Sequence, residues 1–185
     1  TGNLFLIGNY FSAGASIFQG KVLSYIKSAG GVDFTRRDII RGDAKYLADV
    51  LPLTQDIGKL VPSSKTGLLS EKFKSTQDWS AVAQKFAAET TRKQLLKSNT
   101  LHFVTNMAEN YIQNTLMYSF LNGAKIKNSK GEFIDKNGKV VKERSQAMSL
   151  DEAYELDTSK EAARLKLKKG LGSVELQSGL EFSLE

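Results

Sequence analysis

The sequence predicts a predominantly α-helical α+β fold, in which long helices pack together beside a small antiparallel β-hairpin element. Three observations predict it. Only two prolines occur among 185 residues, and helix-forming alanine, leucine and lysine are frequent. Apolar residues recur at helical spacing in two long stretches, residues 4–29 and 100–122. Residues 124–141 instead carry two glycine turns between short strand-like runs.

The first predicted helix spans residues 4–29 and ends at Gly30 and Gly31. Apolar residues recur at every seventh position along it: Leu4, Phe11, Phe18 and Tyr25. We expect this face to be buried against other helices, and the helix glycines to allow close approach. Polar residues interrupt the apolar stretch and disfavour membrane contact through residues 4–26, which stays an alternative.

Local signals divide the middle of the chain. Thr35-x-x-Asp38 predicts a capping box for a helix from about Arg36 to Val50, with Pro52 as its end. Proline, glycine and serine cluster in residues 52–70, which we interpret as a linker between a helical segment, 1–51, and a second segment, 71–185. Because the chain starts at Thr1, we expect it to be a fragment of a longer protein.

The second segment should contain helices at 76–97 and 100–122, the latter ending at Gly123. Ser149 should cap a short helix, residues 150–156, and the 124–141 hairpin should pair with strands near 165–184. Asn137-Gly138 favours a type I′ turn. The expected apolar anchors of the core come from three helices: Phe11, Phe18, Trp79, Phe86, Val104, Tyr111, Ile112 and Tyr118.

Composition excludes several kinds of site. The absence of cysteine excludes disulfides and thiolate metal sites within this chain. His102 is the only histidine, and it lacks partners at metal-ligand spacing. Residues 58–66 lack the glycines of a phosphate loop, and Asp135-Lys-Asn-Gly138 departs from a calcium loop. We therefore predict no enzyme activity, cofactor or metal.

The net charge of +6 favours an anionic partner, although it also serves solubility. One basic cluster comprises Arg36, Arg37 and Arg41. The other holds seven basic residues against three acidic ones within 125–144: Lys125, Lys127, Lys130, Lys136, Lys139, Lys142 and Arg144. These seven could lie along the phosphates of a nucleic acid, and the alternative is a solvated hairpin.

Three consecutive features resemble segments of the large virion proteins of crAss-like tailed phages. A helix ends in a Met/Tyr/Leu-rich turn, a KGEFIDKNGKV hairpin follows, and an MSLDEAYE helix start comes next: Leu116–Leu121, Lys130–Val141 and Met148–Glu155. The resemblance implies a structural or internally packaged cargo protein of the phage particle, with other virion proteins as partners. The polymerase motif of that family, a DxDxD cluster, is absent. The leading hypothesis is therefore a non-enzymatic virion component, and the alternative is a basic nucleic-acid-binding module.

Overall fold

The computed structural model describes residues 2–31, 34–55, 64–73, 98–158 and 163–184, with backbone alone at 2–13, 50–55 and 98–107. It confirms a predominantly helical α+β fold. The helices are α1 (Gly2–Ala29), α2 (Arg36–Gln55), α3 (Lys65–Lys72), α4 (Ser98–Gly123) and α5 (Leu150–Ala153). Helix α4 is central, because each of the other four packs against it.

The strands form two small antiparallel sheets. They are β1 (Lys125–Lys127), β2 (Tyr154–Asp157), β3 (Arg164–Leu167), β4 (Ser173–Glu175) and β5 (Glu181–Ser183). One sheet has the order β1-β4-β5, with Ile126 opposite Val174, and the other pairs β2 with β3. The predicted pairing of the hairpin segment with the C-terminal strands is thereby confirmed.

The turn at Asp135 differs from the predicted type I′ turn. The Gly138 amide donates to the Asp135 carbonyl (3.0 Å), and the Asp135 amide donates to the Lys139 carbonyl (2.8 Å), which makes a three-residue loop with Gly138 at φ 78°. The Asp135 carboxylate accepts the amides of Asn137 and Lys139, both at 2.8 Å. This carboxylate stabilises the longer loop, which the Asn-Gly pair alone does not indicate.

Helix α2 begins as predicted and ends later. Asp38 accepts the Thr35 amide (2.9 Å) and the Thr35 hydroxyl (2.7 Å), which confirms the capping box. The helix continues through Pro52 to Gln55. The predicted end at Pro52 is wrong: the φ angle of proline is compatible with a helix, and α2 ends three residues later.

Two further boundaries depart from the predictions. Residues 52–55 and 65–70 of the predicted linker are helical, and Leu69 within α3 is fully buried. The helix predicted at 150–156 ends at Ala153, because the next four residues pair with β3 as β2. The division into two domains stays a prediction.

The apolar core surrounds the C-terminal half of α4. Its centre includes Leu69, Leu121, Ile126 and Met148, each at most 2% exposed. Among the expected anchors, Tyr118 is buried, and Tyr111 and Ile112 are half-buried. Phe18 is 69% exposed, so its assignment to the core is wrong. The helix predicted at 76–97, with Trp79 and Phe86, and the side chains of Phe11 and Val104 lie outside the described residues.

A layer of polar side chains is buried between α2 and α4. Tyr46 donates to Asn110 (3.4 Å), and Asn114 donates to the same amide oxygen (2.7 Å). Lys45 donates to Asn122 (2.7 Å) and forms an ion pair with Asp151. These contacts join α2, α4 and α5, although Asn114 Oδ1 and Asn122 Nδ2 are buried without a hydrogen-bond partner among the described residues.

Candidate functional site

The fold brings two residues from each basic cluster of the sequence together in one pocket of about 230 Å³. Arg37 and Arg41 reach it from α2, Lys125 from β1, and Arg144 from the 3₁₀ turn Arg144–Gln146. The remaining lining residues are polar or acidic: Thr35, Asp38, Ser145 and Gln177. Four cations face one carboxylate, so the net charge of the lining is +3. We call this cavity the basic pocket.

Lys125 is the most buried cation of the basic pocket. Its exposed fraction is 7%, and its ammonium group has no hydrogen bond or ion pair to any described residue. Burial lowers the pKa of Lys125, against the opposing charge of Asp38. Most of this lysine is thus removed from solvent, while its ammonium group lines the basic pocket without a direct partner among the described residues, which costs free energy.

Asp38 does not neutralise this ammonium by direct contact. Its carboxylate is 6% exposed and accepts both the amide and the hydroxyl of Thr35 at the start of α2. No ion pair joins it to Lys125 in the described part of the chain. Asp38 therefore stabilises the helix start and leaves the cations of the basic pocket in excess.

Arg144 is fixed by the opposite wall. Its guanidinium pairs with the Glu175 carboxylate and donates to the carbonyls of Gly123 (2.7 Å) and Glu175 (3.2 Å). Arg37 and Arg41 are exposed and make no side-chain hydrogen bond or ion pair within the described ranges. Arg144 is thus held in place by its own contacts. The side chains of Arg37 and Arg41, on the other side of the basic pocket, are available to contact a bound group.

The other predicted nucleic-acid contacts divide into two groups. Lys127 pairs with Glu175 (2.7 Å) and Glu181 (3.0 Å), and Lys136 pairs with Glu152 (2.9 Å). These ion pairs raise the pKa of both lysines. The remaining three lysines are exposed, with no ion pair to a described residue: Lys130, Lys139 and Lys142. The folded hairpin therefore uses part of the predicted basic surface for its own contacts.

A different surface, on α1, is apolar. Phe18 and Ile26 are 69% and 62% exposed, and Val22 and Tyr25 are about 40% exposed. At about 100° per residue, these four side chains lie within an arc of about 100° on one side of the helix. We call this surface the α1 apolar face.

Small and polar residues form the opposite side of α1, which packs on α4. A β-carbon on Gly20 would lie 2.6 Å from Ile112 Cδ1, so the two helices approach closely there. Ser24 and Ser28 are buried and bond to their own helix, through the carbonyls of Gly20 (2.7 Å) and Tyr25 (2.8 Å). The predicted close approach at a helix glycine is confirmed at Gly20. The predicted burial of the seven-residue stripe is wrong at Phe18 and Tyr25, because the glycine-serine side packs more closely on α4.

An apolar groove runs beside α4, with a volume of about 470 Å³. Two aromatic residues from other elements, Phe34 and Phe73, form one wall. Residues of α4 form the floor: Leu116, Met117, Phe120 and Leu121. Lys27 at the end of α1 also lines the groove, so it begins where α1 ends. The sequence indicated the apolar character of α4 but not the groove, because Phe34 and Phe73 belong to distant parts of the chain.

The described residues hold neither a metal-binding cluster nor a membrane-spanning helix. No three His, Cys, Asp or Glu side chains gather there in a way that could hold a metal ion. No helix in the same ranges is long and apolar enough to cross a bilayer. The side chain of His102 lies outside the described residues.

Comparison of the chain with protein families, curated proteins and solved structures finds no match. The resemblance of residues 116–155 to phage virion proteins therefore stays a prediction.

Proposed function

We propose that this chain is a non-enzymatic component of a tailed-phage virion, a segment of a structural or packaged cargo protein that contacts neighbouring chains. The observation that carries the proposal is the orientation of α1. This helix packs within the chain through glycine and serine and turns phenylalanine, valine and isoleucine outward. In a soluble monomer, the large apolar side chains of a surface helix normally face the core, and its small and polar side chains face solvent.

The α1 apolar face is suited to a protein partner. Its aromatic and branched side chains lie at helix positions i, i+4, i+7 and i+8, the spacing by which one helix packs into the groove of another. Large exposed apolar patches on soluble proteins commonly mark interaction sites. The apolar groove next to the C-terminal end of α1 would extend the contact area.

Sedimentation velocity on the 185-residue chain tests the contact surface. We expect concentration-dependent association of the wild-type chain and loss of that association in Phe18→Asp/Ile26→Asp. Leu180→Asp is the matched control, because Leu180 is 60% exposed outside α1. A wild-type chain that stays monomeric, or a control that dissociates equally, would contradict a contact through α1.

Peptide mass spectrometry on purified phage particles tests the location. Peptides from residues 98–123 and 125–157, present before and after genome ejection, would mark a fixed structural component. Peptides lost on ejection would mark packaged cargo. Absence of these peptides from both samples would refute the virion assignment.

The second candidate function is nucleic-acid binding by exposed lysines of the hairpin. Lys130, Lys139 and Lys142 are the observation in its favour, because each is exposed and has no ion pair within the described residues. Phosphate contacts release counterions, so the affinity for an oligonucleotide should fall steeply between low and moderate salt. Affinity that does not depend on salt would remove this candidate.

Membrane contact through residues 4–26 is a third reading of the same apolar face. It predicts that the chain floats with liposomes and that Phe18→Asp/Ile26→Asp abolishes flotation. A chain that stays in the soluble fraction would remove it.

A further inference from the structure

We infer that the basic pocket binds one phosphate group, as inorganic phosphate or at the end of a small phosphomonoester. The inference does not depend on the proposed virion role. It rests on a largely buried lysine, on two guanidinium groups without a partner among the described residues, and on the size of the cavity.

Lys125 is the central observation. The residue is 7% exposed and lines the basic pocket, and its ammonium group has no direct hydrogen-bonding or ionic partner among the described residues. A bound anion would supply the missing partner and would reverse the lowering of the Lys125 pKa by burial. An apolar residue at position 125 would fill the same space without that cost, so the ammonium points to a ligand.

Arg37 and Arg41 supply donors on a second side of the cavity. They lie four residues apart on α2, on one face of its first turns. A guanidinium offers two parallel N–H groups to two phosphate oxygens, which an ammonium cannot do. Gln177 adds an amide without a partner in the described ranges, and Arg144 is held in place by Glu175.

The start of α2 adds to the positive field. Thr35 and Asp38 lie at the N-terminal end of this 20-residue helix, where the peptide dipoles leave a partial positive charge. Asp38 offsets part of this field, since its carboxylate already accepts the Thr35 groups. Arg144 is already paired with Glu175, but Arg37, Arg41 and Lys125 still outnumber the Asp38 carboxylate, so an anion is favoured.

The size of the cavity selects a small ligand. About 230 Å³ is below the roughly 300–1,000 Å³ of typical small-molecule pockets. It accommodates a phosphate group with a short substituent. The lining is largely charged or polar, so the specificity should come from the anion and not from an apolar body.

Isothermal titration calorimetry with inorganic phosphate tests the inference on the 185-residue chain. We expect saturable binding with one site per chain, weakened about tenfold or more in Arg41→Gln. Arg41 is exposed, so this variant should fold normally. Lys125→Met removes the buried ammonium without leaving a cavity and should abolish binding. Lys142→Gln is the control, because Lys142 is also exposed and carries the same charge but does not line the cavity.

The outcomes separate the inference from its competitors. Equal weakening in Lys142→Gln would overturn it, because the binding would then reflect net charge. No saturable binding at millimolar phosphate would also overturn it. A parallel titration with glycerol phosphate distinguishes the ligand sources: tighter binding than inorganic phosphate supports a phosphomonoester, and weaker binding supports the free anion. Binding of oligothymidylate without binding of either small phosphate would assign the cations to a nucleic acid and refute the pocket.

Discussion

Gly42 of α2 packs directly against the backbone of Thr115 in α4: a β-carbon on residue 42 would lie 2.7 Å from the Thr115 carbonyl oxygen. The same β-carbon would lie 2.9 Å from Ser119 Oγ and 3.0 Å from the Ser119 amide. Backbone atoms cannot give way as a flexible side chain does. The close approach lets Lys45 and Tyr46, on the next turn of α2, reach the polar residues of α4.

The first prediction concerns this contact. Gly42→Ala should lower the free energy of unfolding by about 2 kcal/mol, because overpacking separates the two helices. Gly14→Ala is the matched control: no atom of the described residues lies within 4 Å of a β-carbon there, so the higher helix propensity of alanine should stabilise the chain by up to about 1 kcal/mol. Urea unfolding measures both. A Gly42→Ala variant as stable as the wild type would refute the contact.

The second prediction concerns the ion pair of Lys45 and Asp151. Asp151 is 3% exposed, and its backbone carbonyl also accepts a hydrogen bond from Lys65 (2.6 Å). Asp151→Ala should destabilise the chain by about 2 kcal/mol, because it removes the buried carboxylate that pairs with Lys45 and accepts the Ser149 hydroxyl (2.5 Å). Chemical unfolding at neutral pH measures this loss.

An exposed ion pair provides the comparison. Lys136, 70% exposed, pairs with Glu152 at 2.9 Å, and Lys136→Ala should cost less than about 1 kcal/mol. In addition, Lys45→Met should cost less in the Asp151→Ala background than alone, because the two side chains are coupled. Additive effects would mean that the pair is not formed in solution.

The third prediction concerns acid stability. Burial alone would raise the pKa of Glu152, but hydrogen bonds from Lys136 and Ser149, together with the charge of Lys45, lower it from 4.5 to about 2. The folded state binds this proton more weakly than the unfolded state, so the stabilisation is complete above about pH 4.5. It is lost as the pH falls toward 2.

Glu152→Gln should remove this part of the acid dependence. The difference between the two proteins should be on the order of 2 kcal/mol at neutral pH and should vanish near pH 2, after allowance for solvent around the half-buried carboxylate. Thermal unfolding from pH 6 to pH 2 measures it. Parallel pH profiles for the variant and the wild type would contradict the lowered pKa.

The fourth prediction concerns the loop at Asp135. Gly138 has φ 78°, a region that disfavours residues with a β-carbon. Gly138→Ala should therefore cost about 1 kcal/mol, and Gly138→Asn should cost less, because asparagine tolerates this conformation better. Equal losses in the two variants would indicate that the loop adopts another turn in solution. Thermal melting compares them.

Local signals predicted much of the fold. The Thr35–Asp38 capping box, the end of α4 at Gly123 and the strand at 125–127 depend on nearby residues, and the structure confirms each. The C-terminal ends of α2 and α5 could not be predicted from nearby residues. Pro52 is a local stop signal that the helix overrides, and Tyr154–Asp157 become a strand only because β3 pairs with them.

The candidate sites divide in the same manner. The sequence by itself determined the two basic clusters, the glycines of α1 and the apolar character of its longest helices, because these are properties of residues close together in the chain. Only the tertiary structure decided that Arg41, Lys125 and Arg144 share one pocket, and that α1 packs through Gly20 and Ser24 and exposes Phe18. Periodicity reveals that a helix has two unlike sides, and the partner helix selects which side is buried. Helix α4 packs against the Gly20 and Ser24 side of α1, where the helices approach closely and the serine hydroxyl is hydrogen-bonded. The apolar stripe of α1 that includes Phe18 is left exposed.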